Sequence, residues 1–576
     1  MTPEVGNGEG SKSHPRRQPL KGGLWLGILV NEMAEMRSIA CCFQKCPRHK
    51  KQLMRITRFL QTPLILAACA AFFSTSARAQ EILVEAEKPP LTQEDKRAAD
   101  KEWDALVATW TTPEWIQDAK FGLWAHWGPQ SVPRLGGGWY ARHMYMPDIG
   151  KENWGRNAYK HHVETYGHPS EFGFKDVIHH HFKAEKFDAD ALVRQFKDWG
   201  ARYVAMMACH HDNFDLYPTK VHDWNSVKVG PKRDLVGEFA TAAKAHNLRW
   251  VATLHSGHNF YPAAGAADKE GPKSGVPYDL GLTKADGKGQ WWEGLDPQDL
   301  YKFPHKKVDV RAHELMLNYK PDMVYFDNQT LRHKWVLLDY YRDSLARNGQ
   351  IETIVTVKKP APGAMLDIER GQLDTLQDFV WQTCTTMFNG WFRKEDDDDK
   401  NLRFDTRCLV EMLTDIVSKN GVLLLNVALY GDGSISEDQA KEIQGLADWL
   451  KIHGEAVYAT RPWRIHGVGG LTRNGHFSER TRYDSEPWGS DVIRFTRSKD
   501  NKTLYVFIYG AKPGEPLTIE PLRQDGLLES KIEAVSLVGS DKKMDFEVSG
   551  DGLKTTLPAE LASPIACVLK IQTAGL

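Results

Sequence analysis

Seven short apolar runs, several of them ending in polar or ionisable residues and most followed by amphipathic stretches, lie between residues 121 and 428. This alternation constrains the fold more than any other feature, because strand followed by helix in series builds a parallel sheet with covered faces. The candidate strands are FGLWAHW (121–127), ARYVAMMA (201–208), LRWVATLH (248–255), DMVYFD (322–327), TIVTVK (353–358), FVWQTC (379–384) and GVLLLNVA (421–428). Helical stretches between them include DADALVRQFKDWG, DLVGEFATAAKAHN and DTRCLVEMLTDIVSKNG, the last ending at a Gly suited to a helix C′ position. The pattern predicts a (β/α)8-type barrel enlarged by loops.

From about Pro487 the character changes to short alternating strands with Gly and Asp turns, among them SDVIRFTR, TLYVFIYG, KIEAVSLVG and ACVLKIQ. An antiparallel β-sandwich is expected there. The chain divides accordingly into a leader (1–79), a polar linker (80–100), the barrel (101–470) and the C-terminal sandwich (471–576). Within the leader, MRITRF at Met54 is followed by PLILAACAAFF and then by STSARA before Gln80. Basic start, apolar centre and Ala-x-Ala site are the signature of a secretory signal cleaved after Ala79, with a secreted or periplasmic product. The apolar run is short for a bilayer span. Leu66-Ala67-Ala68-Cys69 offers a second route, acylation at Cys69. Residues 1–53 carry no clear pattern and are assigned no structure.

Charge is balanced, 74 Lys and Arg against 75 Asp and Glu, and no basic block could neutralise a row of phosphates, so a nucleic-acid partner is not expected. The 19 Trp residues suit either a large aromatic core or a sugar cleft, where flat rings cover pyranose C–H faces. Past the leader four cysteines remain, Cys209, Cys384, Cys408 and Cys567, too scattered for a disulfide framework or zinc knuckle.

Function is expected where the strands end, since a barrel builds its active site at the C-terminal face. Those ends carry His126-Trp127-Gly128, Cys209-His210-His211-Asp212, His255 and Asp327-Asn328. Adjacent residues on a strand point to opposite sides, so His210 and His211 are not expected to share an ion, and no metal or cofactor is assigned. The His179-His180-His181 run reads as surface or loop packing in a connector, and Glu395 to Asp399 as a solvated loop without calcium-ligand spacing.

The segments AKFGLWAHWGPQSVP, the WY of GGGWYARHMY, GARYVAMMACHHDNFDLYPTK, KPDMVYFDN, VWQTCTTM and KNGVLLLNVALYGDGSISEDQAKEIQGLADWLKIHGEAVYATRPW run in order from about 115 to 465. Together they resemble the α-L-fucosidases of glycoside hydrolase family 29. The resemblance implies a retaining mechanism, in which one carboxylate attacks C1 and a second, protonated carboxyl serves the leaving oxygen, about 5 to 5.5 Å away. Asp327 matches the nucleophile. Where many members carry a Glu in W-E-T-C, this chain has Gln382, which cannot exchange a proton. The branch associated with α-1,3/1,4-linked fucose combines E-R-G with W-Q-T, as Glu369-Arg370-Gly371 and Trp381-Gln382-Thr383 do here, so Glu369 is the expected acid/base. It is expected in the loop after the strand following the nucleophile strand, its pKa raised by apolar walls and by Asp327.

By the same resemblance His126, His210 and His211 grip fucose hydroxyls, aided by Trp139 and Tyr140 at the mouth and by Tyr325 and Trp381. The implied partner is a fucosylated oligosaccharide or glycoconjugate. Three residues depart from the family pattern: Tyr325 stands for the common Trp, Asn213 for a Gly after H-H-D, and Cys209 for a Lys before it. Competing readings are a barrel glycosidase for another L-sugar such as an L-galactoside, and a non-catalytic carbohydrate-binding protein.

Overall fold

The computed structural model describes residues 92–145, 158–255, 304–327, 334–395, 397, 401–470, 475–476, 486–540 and 542–576. The expected signal sequence, the Cys69 site and residues 1–53 lie outside them. Eight parallel strands close into a barrel: β1 Phe121–Ala125, β2 Tyr203–Cys209, β3 Arg249–Leu254, β4 Met323–Phe326, β5 Ile354–Val357, β6 Met365–Glu369, β7 Trp381–Thr386 and β8 Gly421–Asn426. Each pairs with the next in chain order, and β8 returns to β1.

Seven of these strands match the expected runs, with β7 lying two residues later than read. The eighth, β6, went unread because its inward residues include Asp367 and Glu369, so Met-Leu-Asp-Ile-Glu shows no apolar run. Glu369 therefore ends a barrel strand, whereas the expectation placed it in a loop. That position fixes its height at the rim.

The helices outside the barrel repeat one local design. Helices Ala189–Asp198, Leu235–Ala245 and Thr406–Ser418 each start at an Asp whose carboxylate accepts an N–H three residues on: Asp188 from Ala191, Asp234 from Gly237 and Asp405 from Cys408. The charge also suits the positive end of the helix dipole. Within two residues of their ends, successive helices are followed by a left-handed residue that turns the chain into the next strand: Gly200 (φ 92°), Asn247 (55°), Lys320 (49°), Gly349 (75°) and Asn420 (68°). Asn420 thus takes the turn expected of Gly421, which opens β8 instead.

Two apolar layers sit on either side of the barrel wall. Inside it Trp124, Tyr203, Val251, Met323, Tyr325, Ile354, Met365 and Leu424 form one buried cluster. Outside, Leu123, Val204, Ala252, Val324 and Leu423 pack with helix residues such as Leu192, Phe239 and Leu413. Helix Gln93–Val107 begins within the segment read as linker, nucleated by a capping box of Thr92 and Asp95.

Beyond the barrel, a five-stranded antiparallel sheet (Gly467–Val468, Ile493–Arg497, Thr503–Tyr509, Ala566–Thr573, Ile532–Leu537) and a three-stranded one (Pro516–Ile519, Leu553–Thr556, Phe546–Val548) share a core. The larger sheet docks on the barrel's helices. Buried Arg494 bonds Asp415 at 2.6 Å, Tyr509 Oη meets Thr414 Oγ1 at 2.6 Å, and Trp449 Nε1 donates to the Ala566 carbonyl at 3.0 Å. Among the described residues no helix is long and apolar enough to cross a membrane.

Candidate active site

The two-residue period of a strand decides what enters the mouth. Counting upward along the inward positions, β1 gives Trp124 and then His126, β3 gives Val251, Thr253 and His255, and β4 gives Met323, Tyr325 and Asp327. Likewise β5 gives Ile354, Thr356 and Lys358, while β6 gives Met365, Asp367 and Glu369. The uppermost inward residue of each of these strands is thus ionisable or an imidazole, above an apolar floor.

Lys358 is the electrostatic centre of this rim. Its Nζ lies 2.8 Å from Asp367 Oδ2, 3.3 Å from Glu369 Oε2 and 4.0 Å from Asp327 Oδ1, and it also bonds the Tyr325 hydroxyl. Glu369 Oε1 accepts from Trp391 Nε1 at 3.1 Å. Burial alone would push the Glu369 carboxyl up, but the Lys358 ammonium, Arg370 and the Trp391 bond outweigh it and hold the group below its ordinary value. This corrects the expectation of a raised acid/base pKa. The apolar walls are present, and the ammonium overrides them, leaving Glu369 a carboxylate at rest.

Opposite the carboxylates, His126, His210 and His255 form a buried cluster, with ring centroids 5.1 Å apart for His126–His210, 4.9 Å for His126–His255 and 4.7 Å for His210–His255. His211 lies tilted beside His210, ring centroids 4.2 Å apart, and its Nδ1 meets the His255 carbonyl at 2.9 Å. Burial, then the neighbouring His255 and His211, holds His126 well below its ordinary value, so it is neutral. Both its ring nitrogens lack a hydrogen-bond partner among the described residues. Trp391 stacks on His126 at 5.3 Å, and Phe392 meets its edge at 4.9 Å. Asn426, at the end of β8, receives the His126 amide and donates to the Trp391 carbonyl, which locks this corner.

The structure brings Asp327, Glu369, His126, His210 and His211 to one rim, with Trp139 beside them at 5.1 Å from His211. Tyr325 lies one layer lower. Tyr140 and Trp381 are placed elsewhere. Tyr140 is fully buried, its hydroxyl bonded to His161 and His162, and Trp381 opens β7 at the far end of the barrel with its indole on the Lys419 carbonyl. Gln382 is buried within the barrel, donating to Asp367 Oδ1 at 2.8 Å. Lys358, Asp367 and Trp391 were not singled out from the sequence. The parity that places His126 and Asp327 would have found the first two.

Two departures from the family pattern gain physical accounts. Asn213 has φ 60°, the left-handed region where Gly is usual and Asn is tolerated. Beside Cys209, Arg311 supplies a cation from a helix instead, its Nη2 at 2.9 Å from Cys209 Sγ and 2.7 Å from Asp215 Oδ1. The His179–His181 run closes helix Phe174–His181, exposed as expected but helical rather than in a connector. Of the acidic run, Asp397 is buried and caps Lys394 N at 2.6 Å, while Asp396, Asp398 and Asp399 lie outside the described residues.

Comparison with known proteins gives a consistent picture. A family model described as Alpha-L-fucosidase matches residues 89–455. The chain is 28% identical to the tissue α-L-fucosidase of Rattus norvegicus over 379 residues, covering 63% of this chain and 73% of that one. It is also 28% identical to an α-L-fucosidase of Branchiostoma floridae over 495 residues, covering 81% and 93%. Among solved structures, the Thermotoga maritima α-fucosidase in complex with fucose superposes with a TM-score of 0.60 at 26% identity, covering 81% of this chain and 98% of that one.

Proposed function

The chain belongs to the α-L-fucosidase family of glycoside hydrolases, and on that premise we propose that it releases terminal α-L-fucose from glycans by an exo-acting, retaining double displacement. The observation that carries this reading is the shared ammonium: Asp327 and Glu369 sit 4.0 and 3.3 Å from one Lys358 Nζ, at a rim that also holds the His126, His210 and His255 imidazoles. A retaining pair needs its carboxyl groups about 5 to 5.5 Å apart, and a common cation is compatible with that spacing.

Neutral imidazoles both donate and accept, which suits sugar hydroxyls. His126, His210 and His211 hold the fucose, and Trp391 and Phe392 cover its apolar side. The Asp327 carboxylate, beside the Lys358 ammonium, attacks C1 as the glycosidic C–O bond breaks. Glu369 takes a proton before attack, leaving Lys358 to Asp367 and Asp327, and passes that proton to the departing oxygen. In the second half it removes a proton from water as the water displaces the Asp327 ester. The pairing of Glu369-Arg370-Gly371 with a Gln at 382 supports α-1,3/1,4-linked substrates, and the Met54–Ala79 pattern supports secretion with Gln80 as the mature N-terminus.

The anomer first formed tests the mechanism. Proton NMR during hydrolysis of α-1,3- and α-1,4-fucosylated oligosaccharides is expected to show α-L-fucose ahead of mutarotation. Initial β-L-fucose would mean inversion and would remove Asp327 as nucleophile. Preference for an α-1,2 linkage would overturn the linkage assignment.

A further inference from the structure

Imidazole nitrogens of His126, His210 and His255 lie within 4.8 Å of one another, all buried. Such a trio can serve two chemistries. A tetrahedral zinc site asks for three lone pairs at about 2.0 to 2.1 Å from the ion, whereas a sugar subsite asks for a mixture of N–H donors and acceptors. Which one is built depends on where each ring carries its proton, and that is set by the hydrogen bond at the other nitrogen.

For His210 that bond comes from Gln130. Gln130 Nε2 lies 2.9 Å from His210 Nδ1, and the amide cannot be turned round freely, because its Oε1 accepts the Ala141 N–H at 3.4 Å. Gln130 is fully buried in the short turn that follows His126-Trp127-Gly128. An amide N–H can only donate, so His210 Nδ1 accepts and its ring proton resides on Nε2.

We infer that Gln130 is a positioning residue which fixes His210 as an Nε2–H donor, making the imidazole trio a hydroxyl-binding rather than a metal-binding cluster. The donor's role in sugar binding rests on the fucosidase reading; the tautomer does not. Replacing the amide by a carboxylate reverses the logic. A carboxylate accepts from Nδ1–H, frees the Nε2 lone pair, and supplies the carboxylate–histidine arrangement typical of metal ligands.

The test uses the full-length protein, wild type and Gln130→Glu, labelled with 15N-histidine, the His210 signals being assigned by their loss in His210→Gln. Wild type is expected to show the Nε2–H tautomer at His210 and Gln130→Glu the Nδ1–H tautomer. Titration with Co2+, followed by its d–d absorption, is expected to give one ion per chain in Gln130→Glu, bound about 10- to 100-fold more tightly than by wild type. An Nδ1–H tautomer in wild type, or equally tight Co2+ binding by both proteins, overturns the inference. Should Gln130→Glu not fold, the wild-type tautomer decides alone. Absence of fucoside cleavage by wild type would defeat the fucosidase reading while leaving both of these readouts intact.

Discussion

Lys358 is the common partner of three carboxyl groups at the rim, one ammonium contacting Asp327, Asp367 and Glu369 together. It favours the charged form of Glu369, so the protonated fraction needed for attack disappears at lower pH than in an unassisted glutamate. Lys358→Met is expected to move the alkaline limb of kcat/KM to higher pH, whereas a purely structural role would lower activity with the limb unmoved. Asp212 behaves in the opposite sense. Burial pushes its carboxyl up to about 7 from an ordinary 3.8, against the hydrogen bond from the Phe214 amide. A raised folded-state value gives stability that is full below 3.8 and lost as pH rises through about 7. Asp212→Asn is therefore expected to flatten the fall in melting temperature across that window, read by calorimetry. An unchanged slope would show that Asp212 is ionised in the folded protein.

At the scale of elements, strands are legible where apolar residues run together and illegible where charged residues break the run from within. FGLWA and GVLLLN read as runs because the barrel floor and the helix layer bury opposite sides of the same strand. MLDIE does not, since Asp367 and Glu369 occupy its inward positions, and so the sequence places Glu369 in a loop where the structure has a strand. Trp381 shows the converse limit. Its place in a motif implies a substrate contact, but it stands at the start of β7, and motif membership says nothing about which end of a strand a residue occupies. Side-chain roles that depend on long-range pairing, such as Arg311 with Cys209 across 102 positions, leave no local pattern to read. The link between barrel helix and C-terminal sheet is of this kind. Arg494, Asp415 and Lys419 form a buried ionic group, with Arg494 2.6 Å and Lys419 2.7 Å from the Asp415 carboxylate. Arg494→Leu leaves that carboxylate with one cation and is expected to cost about 3 kcal/mol in denaturant unfolding. A change below about 0.5 kcal/mol would show the group to be screened by solvent.

For the whole molecule, the C-terminal sheets complete the barrel's outer surface rather than forming a separable appendage. Trp449, Thr414 and Asp415 all find their partners on the sheet. Ending the chain after residue 466 would strand these groups and expose the helix surface around Trp449 and Thr414 that Phe507 and Tyr509 cover. Loss of soluble protein, or a fall in melting temperature of ten degrees or more, is the expected result, on the order of a few °C per kcal/mol removed. A truncated chain with wild-type stability and full fucoside cleavage would contradict this arrangement.

The proposed mechanism of this α-L-fucosidase uses Asp327 as nucleophile and Glu369 as acid/base. It is tested most directly by measuring release of 4-nitrophenol from its α-L-fucoside, and of fucose from an α-1,3/1,4-fucosylated oligosaccharide, for wild type, Asp327→Asn and Glu369→Gln. Wild type is expected to turn over both, and Asp327→Asn to lose at least about a thousandfold. For Glu369→Gln the loss falls mainly on the oligosaccharide, whose leaving group needs a proton, while the aryl fucoside is still cleaved. Full activity of Asp327→Asn, or equal loss on both substrates in Glu369→Gln, would contradict it.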